Sequence, residues 1–155
     1  MSKIEFETLI KEITDTISKK PVDDKLEKIL SKTYPVEGEI FKKIQKYCQE
    51  GERDGWCCNQ EFGGIKFGRV IKPGGIAGHF SVDIVRMGEI KGPHHIHPNG
   101  EIGMIMPIDG EPRFDGMGQG WYVDKPGSDH WPTVEGGTCH VLYLLPDGAI
   151  NFTGK

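Results

Sequence analysis

The placement of glycine constrains this chain more than any other feature of its sequence. Of 22 glycines in 155 residues, only Gly38 lies among the first fifty, and the other 21 follow Cys48. The same opening stretch carries ten lysines, ten acidic residues and only two of the ten prolines. Good helix formers with few breakers predict helices up to about residue 50, and glycine-punctuated segments predict turn-rich β structure after it. A chain of 155 residues has room for one main core. The expected division is therefore a helical segment over 1–51 that packs on a β-barrel domain over 52–155.

The hydrophobic spacing fills in both parts. Phe6, Leu9, Ile10, Ile13 and Ile17 recur every three to four residues and form one face of a first helix. After Pro21 a short second helix runs through Leu26, Ile29 and Leu30 to Tyr34-Pro35. A third carries Ile40, Phe41, Ile44, Tyr47 and Cys48, and Gly51 is expected to close it. From residue 52 the period becomes two. Residues 65–71, 79–86, 102–106, 120–123 and 139–145 alternate as strands do. Turn signals separate them at Lys72-Pro73-Gly74-Gly75, Lys91-Gly92-Pro93, Asp109-Gly110-Glu111-Pro112, Pro126-Gly127 and Gly136-Gly137. Many short strands without helical pattern between them predict an antiparallel sandwich or barrel.

A net charge of −4 gives no field for gripping nucleic acid or an anionic membrane. No apolar run is long enough to span a bilayer, and the acidic start does not read as a signal peptide. Four cysteines, none in C-x-x-C spacing, suit a reducing compartment. These features place the chain in the cytoplasm. Small antiparallel barrels expose strand edges, which predicts a homodimer that covers one.

The chemistry is concentrated in the histidines. His95 and His97 are two apart and project from one face of a strand. Glu101 follows across Pro98-Asn99-Gly100, which can return the chain to the same pocket, and His130 closes the segment that starts at Gly120. Three imidazoles and one carboxylate suit a divalent first-row transition metal: iron, manganese, nickel or zinc.

His95-x-His97-x-x-x-Glu101 resembles the first motif of the cupins, and Gly120-x5-Pro126-Gly127-x-x-His130 resembles the second. The motif glycine expected soon after Glu101 is displaced to Gly110, and Val134 stands where an asparagine is usual. Neither departure removes a ligand. The resemblance implies a mainly β fold, a cupin-type jelly-roll β-barrel preceded by about three α-helices, with His95, His97, Glu101 and His130 as ligands of one metal. Residues 92–104, the Gly120-Trp121 segment and its Ser128-Asp129-His130-Trp131-Pro132 ending resemble a small cupin-like family that includes 4-hydroxylaminobenzoate lyase. That resemblance implies conversion of 4-hydroxylaminobenzoate, a small aromatic carboxylate, or a related aromatic hydroxylamine to protocatechuate and ammonia. Glu101, His140 or Tyr122 would then move protons. An inward arginine (Arg69, Arg86 or Arg113) would hold the carboxylate.

Other readings of the same residues stay open. The ligand set could hold ferrous iron for dioxygenase chemistry on a small aromatic or thiol substrate, or the barrel could bind a small ligand without catalysis. His140, in phase with Leu142 and Leu144, could be a buried structural residue. Trp56, Trp121, Tyr122 and Trp131 could wall a flat ring or only fill the core. Cys57 and Cys58 cannot both face inward, and neither is expected to be catalytic.

Overall fold

A computed structural model describes residues 2–155. Three helices come first: α1 (Ser2–Ile17), α2 (Asp24–Thr33) and α3 (Glu39–Asp54). Ten strands follow: β1 (Gln60–Phe62), β2 (Ile65–Ile71), β3 (Phe80–Met87), β4 (Ile90–Lys91), β5 (His95–His97), β6 (Glu101–Phe114), β7 (Gly120–Asp124), β8 (Ser128–His130), β9 (Thr133–Pro146) and β10 (Asn151–Phe152). No helix among the described residues is long and apolar enough to cross a membrane.

The helices follow their apolar stripes. Phe6, Ile10, Ile13 and Ile17 are buried on α1, Leu26 and Leu30 on α2, and Phe41, Ile44, Tyr47 and Cys48 on α3. Asp23 caps α2 by accepting from the amides of Lys25 and Leu26. The third helix does not stop at Gly51. It continues to Asp54 and ends on Gly55 in the left-handed conformation. Gly51 serves a different purpose, because a Cβ there would stand 2.6 Å from the Trp56 ring, which lies against the helix at that point.

The strand pairs are nested. β6 pairs with β7, β5 with β8 outside it, and β3 with β9 outside that, all antiparallel. A long hairpin rolled up in this way is a jelly roll, with β1-β2-β3-β9-β6-β7 in one sheet and β10-β5-β8 in the other. Two expected turns are absent. Residues 109–112 and Gly136-Gly137 lie inside the fourteen-residue strands β6 and β9, where the register shifts at bulges. Gly110 and Gly136 adopt positive φ there, and a Cβ on Gly137 would meet the Asp109 carbonyl oxygen at 2.2 Å. These glycines serve close strand approach, a use that a turn signal does not distinguish.

The large sheet is buried on both faces. Its outer face, with Val82, Ile84, Ile102, Met104, Leu142 and Leu144, shares one core with the three helices. Its inner face, with Val85, Met87, Ile105, Tyr122 and Val141, forms a second core inside the barrel. The helices plug the outside of the sheet, and the opposite residue phase is left to build the site.

Candidate metal centre and its cavity

Local structure brings His95, His97, Glu101 and His130 together. His95 and His97 share a face of β5, and β8 sets His130 directly opposite His95. After His97, Gly100 at positive φ turns the chain, with its amide bonded to the His97 carbonyl, so that Glu101 begins β6 on the interior. The three Nε2 atoms form a triangle with sides of 3.0 Å (His95–His97), 2.9 Å (His95–His130) and 3.3 Å (His97–His130). Glu101 Oε1 lies 2.8 Å from His97 Nε2 and 3.8 Å from His130 Nε2.

The proton positions decide what this triangle can hold. His95 Nδ1 donates to the Pro93 carbonyl at 3.2 Å, and His130 Nδ1 donates to Asp115 Oδ2 at 2.5 Å. A carbonyl and an ionised carboxylate only accept, so both rings carry their proton on Nδ1 and turn bare Nε2 lone pairs toward each other. Burial and the neighbouring His97 and His130 push the His95 pKa down to about 4, which keeps it neutral. Burial opposes charge on His130, but Asp115 and Glu101 outweigh it and raise its pKa. Glu101 is buried, yet the His97 and Tyr122 contacts hold its pKa below the usual value, and its Oε1 accepts no hydrogen bond. Facing lone pairs around an unpaired carboxylate oxygen are satisfied by a cation. Metal–nitrogen bonds of roughly 2.0–2.1 Å to a common centre would space neighbouring donor atoms by about 3 Å, in line with the observed sides.

Residues behind these four side chains fix their aim. The Tyr122 hydroxyl donates to Glu101 Oε2 at 2.7 Å. Its ring crosses Gly103, where a Cβ would stand 2.0 Å away. Asp115, in a left-handed conformation after β6, holds both His130 Nδ1 and the Thr133 amide. Asp124 faces the interior beside Glu101, and burial together with the Glu101 charge raises its pKa to about 6.

Above these four residues lies a cavity of about 340 Å³ lined mainly by hydrocarbon, including Phe67, Val85, Phe114 and Val141. Phe62 and Phe152 stand at its exposed edge, 79% and 65% accessible. Tyr143 is the one hydroxyl in the lining. Burial, with Asp83 and Glu101 nearby, raises its pKa and keeps it protonated.

Several expected site residues lie elsewhere. His140 points to the outer face, where its Nε2 meets Glu52 of α3 at 2.7 Å, and it does not reach the cavity. None of the three candidate arginines lines the cavity. Arg69 is held by Asp83 at 2.9 Å and Arg86 by Glu52 at 3.1 Å, while exposed Arg113 reaches only the Gly116 carbonyl. The tryptophans do not form its wall: Trp56 packs on Phe6, Trp121 donates to the Tyr34 carbonyl, and the exposed Trp131 lies tilted against His94. Cys57 and Cys58 are buried on the helical side, with Cys57 donating to the Cys48 carbonyl.

The family profile described as 4-hydroxylaminobenzoate lyase (PnbB) matches residues 8–152. The chain belongs to the 4-hydroxylaminobenzoate lyase family. A 4-hydroxylaminobenzoate lyase of Nocardioides sp. (strain LMS-CY) is 32% identical over 136 residues, covering 82% of this chain and 80% of that one. A second, from Pseudomonas putida, is 28% identical over 153 residues, covering 88% and 87%. Among solved structures, an uncharacterised conserved protein with a double-stranded β-helix domain from Klebsiella pneumoniae aligns with a TM-score of 0.47 at 16% identity, over 66% of this chain and 94% of that one. The family's match begins within α1 and ends in β10, so the helices and the barrel both fall inside it.

Proposed function

We propose that this family member is a metal-dependent lyase that converts 4-hydroxylaminobenzoate and one water to protocatechuate and ammonia. Carrying the reading is the convergence of three imidazole Nε2 atoms, those of His95 and His130 bare of protons, with a buried carboxylate oxygen, at the floor of an apolar, ring-sized cavity that His95, Glu101 and His130 line. His95, His97, Glu101 and His130 would hold one divalent transition metal, which when bound supplies a Lewis acid to an oxygen of substrate or water.

The conversion is redox-neutral. The N–O bond breaks and its oxygen leaves as water, and a water oxygen bonds to the adjacent ring carbon. Hydrolysis of the resulting imine releases ammonia, and loss of the ring proton restores aromaticity. Nitrogen gains the two electrons that the ring gives up, so no separate oxidant enters. The chain's own residues supply position and protons. The apolar walls clamp the ring and exclude bulk water. Tyr143 offers a protonated hydroxyl to the substrate, and Asp124 offers a carboxyl that can give and take a proton near Glu101. Tyr122 and Asp115 hold Glu101 and His130 in their orientations.

The test is turnover of 4-hydroxylaminobenzoate under strict exclusion of oxygen. Equal amounts of protocatechuate and ammonium are expected. A requirement for oxygen in stoichiometric amount would replace the lyase with a dioxygenase, and absence of both products would remove the assignment.

A further inference from the structure

The cavity makes no provision for a negative charge on the ring. Eleven of its fifteen lining residues are Phe, Ile, Val, Met or Pro, and the rest are His95, Glu101, His130 and Tyr143. No lysine or arginine of the described residues lines it. Arg69, whose partner Asp83 sits directly across from Tyr143 in the sheet, is neutralised by that aspartate and also donates to the Gly148 carbonyl at 3.1 Å. Glu101 adds negative charge at the floor. An ionised carboxylate moved into such a space loses its water and gains no cation in return.

We propose that the cavity recognises the aryl ring and its hydroxylamino group but not a ring carboxylate, so that aryl hydroxylamines with no charge on the ring are substrates of this chain. The proposal rests on the lyase reading and extends its substrate class. N-phenylhydroxylamine and one water would give catechol and ammonia. The N–O bond breaks, the adjacent ring carbon gains a water oxygen, and the carbon–nitrogen bond is hydrolysed. Nitrogen again takes up the two electrons that the ring loses. With the hydroxylamino end toward the imidazole floor, the far end of the ring would reach the edge marked by Phe62 and Phe152, so that a carboxylate would stay hydrated at the exposed rim, held by nothing, rather than enter the apolar space.

Two measurements on the metal-loaded wild-type chain test this. The first compares kcat/KM for N-phenylhydroxylamine and 4-hydroxylaminobenzoate. A carboxylate held by charge-assisted hydrogen bonds contributes on the order of 10- to 100-fold. The neutral substrate is expected to be less than about tenfold worse, or better, and a loss of about tenfold or more overturns the proposal. The second compares Kd for the unreactive analogues aniline and 4-aminobenzoate, and it applies whether or not either substrate turns over. Aniline is expected to bind within about tenfold of 4-aminobenzoate or more tightly. A stronger preference for 4-aminobenzoate, or saturable binding of neither, overturns the proposal. If 4-hydroxylaminobenzoate itself is not converted, the lyase reading fails and the binding comparison still decides the question of recognition.

Discussion

Tyr122 donates its hydroxyl to Glu101 Oε2 at 2.7 Å, and this contact selects which carboxylate oxygen faces the imidazoles. The other oxygen, Oε1, is left 2.8 Å from His97 Nε2 with no donor of its own. Replacing Tyr122 by Phe keeps the ring that packs over Gly103 and removes only the hydroxyl. Metal affinity should fall about 10- to 100-fold, read by competition with a chelator, while the circular dichroism spectrum is retained. Unchanged affinity would show that Glu101 needs no such anchor.

Asp115 holds His130 from behind in the same manner, at 2.5 Å from Nδ1. Asp115→Asn should keep the residue's shape and its left-handed turn but weaken the lock on the ring tautomer. We expect a metal affinity about 10- to 100-fold lower, and recovery of much of the lost activity at saturating metal. A variant as tight as wild type would mean that the β5–β8 pairing alone orients His130.

His97 and His140 should separate by function. His97→Ala removes the ligand that touches His95, His130 and Glu101, and should abolish both bound metal and turnover. His140→Gln should leave metal content and kcat/KM near wild type, because the side chain lies on the opposite face of the sheet. Its cost is structural: Glu52 keeps Arg86 but loses a buried partner, for about 1–3 kcal/mol of stability by denaturant melts.

The same histidine sets a pH dependence. Burial, aided by Arg86, lowers the His140 pKa in spite of Glu52. The unfolded chain, with an imidazole pKa of about 6.5, therefore takes up a proton at a pH where the folded chain does not. This contribution to stability is intact above about pH 6.5 and is lost as pH falls from there toward the lowered folded value. Tm should drop between about pH 7.5 and 5.5 in the wild type and drop less in His140→Gln. Equal slopes would contradict the assignment.

The packing of α3 can be tested at Gly51. A methyl group there would stand 2.6 Å from the Trp56 ring. Gly51→Ala should cost roughly 1–3 kcal/mol although alanine is the better helix former, measured by chemical denaturation. A gain in stability would show that Trp56 moves aside freely.

The convergence of His95, His97 and Glu101 was legible because a period of two and a short turn bring them together, and that of His130 through the resemblance of its segment to the second cupin motif. The three helices were legible from their stripes. The inward phase of β9 was not. Val141 and Tyr143 face the cavity while His140, Leu142 and Leu144 face the helices, and both sets are apolar enough that alternation carries no direction. A sheet buried on both faces hides its inside, which is why the sequence leaves His140 open between a proton-moving role and a buried structural one. Asp115 was missed because it sits in a turn with no periodic pattern, and Asp124 because its only signal is sharing a phase with Tyr122. The apolar cavity wall comes from strands distant in sequence, so the tryptophans, though conspicuous, gave no guide to it.

If His95, His97, Glu101 and His130 hold one metal on which turnover depends, activity must follow occupancy of that site. The most direct measurement strips the protein with a chelator and returns a divalent metal in sub-stoichiometric steps, following bound metal and anaerobic ammonium release together. Activity should be lost on stripping and return linearly, with a break at one equivalent per chain. Full activity in the stripped protein, or a return that requires no binding at these four residues, would contradict it.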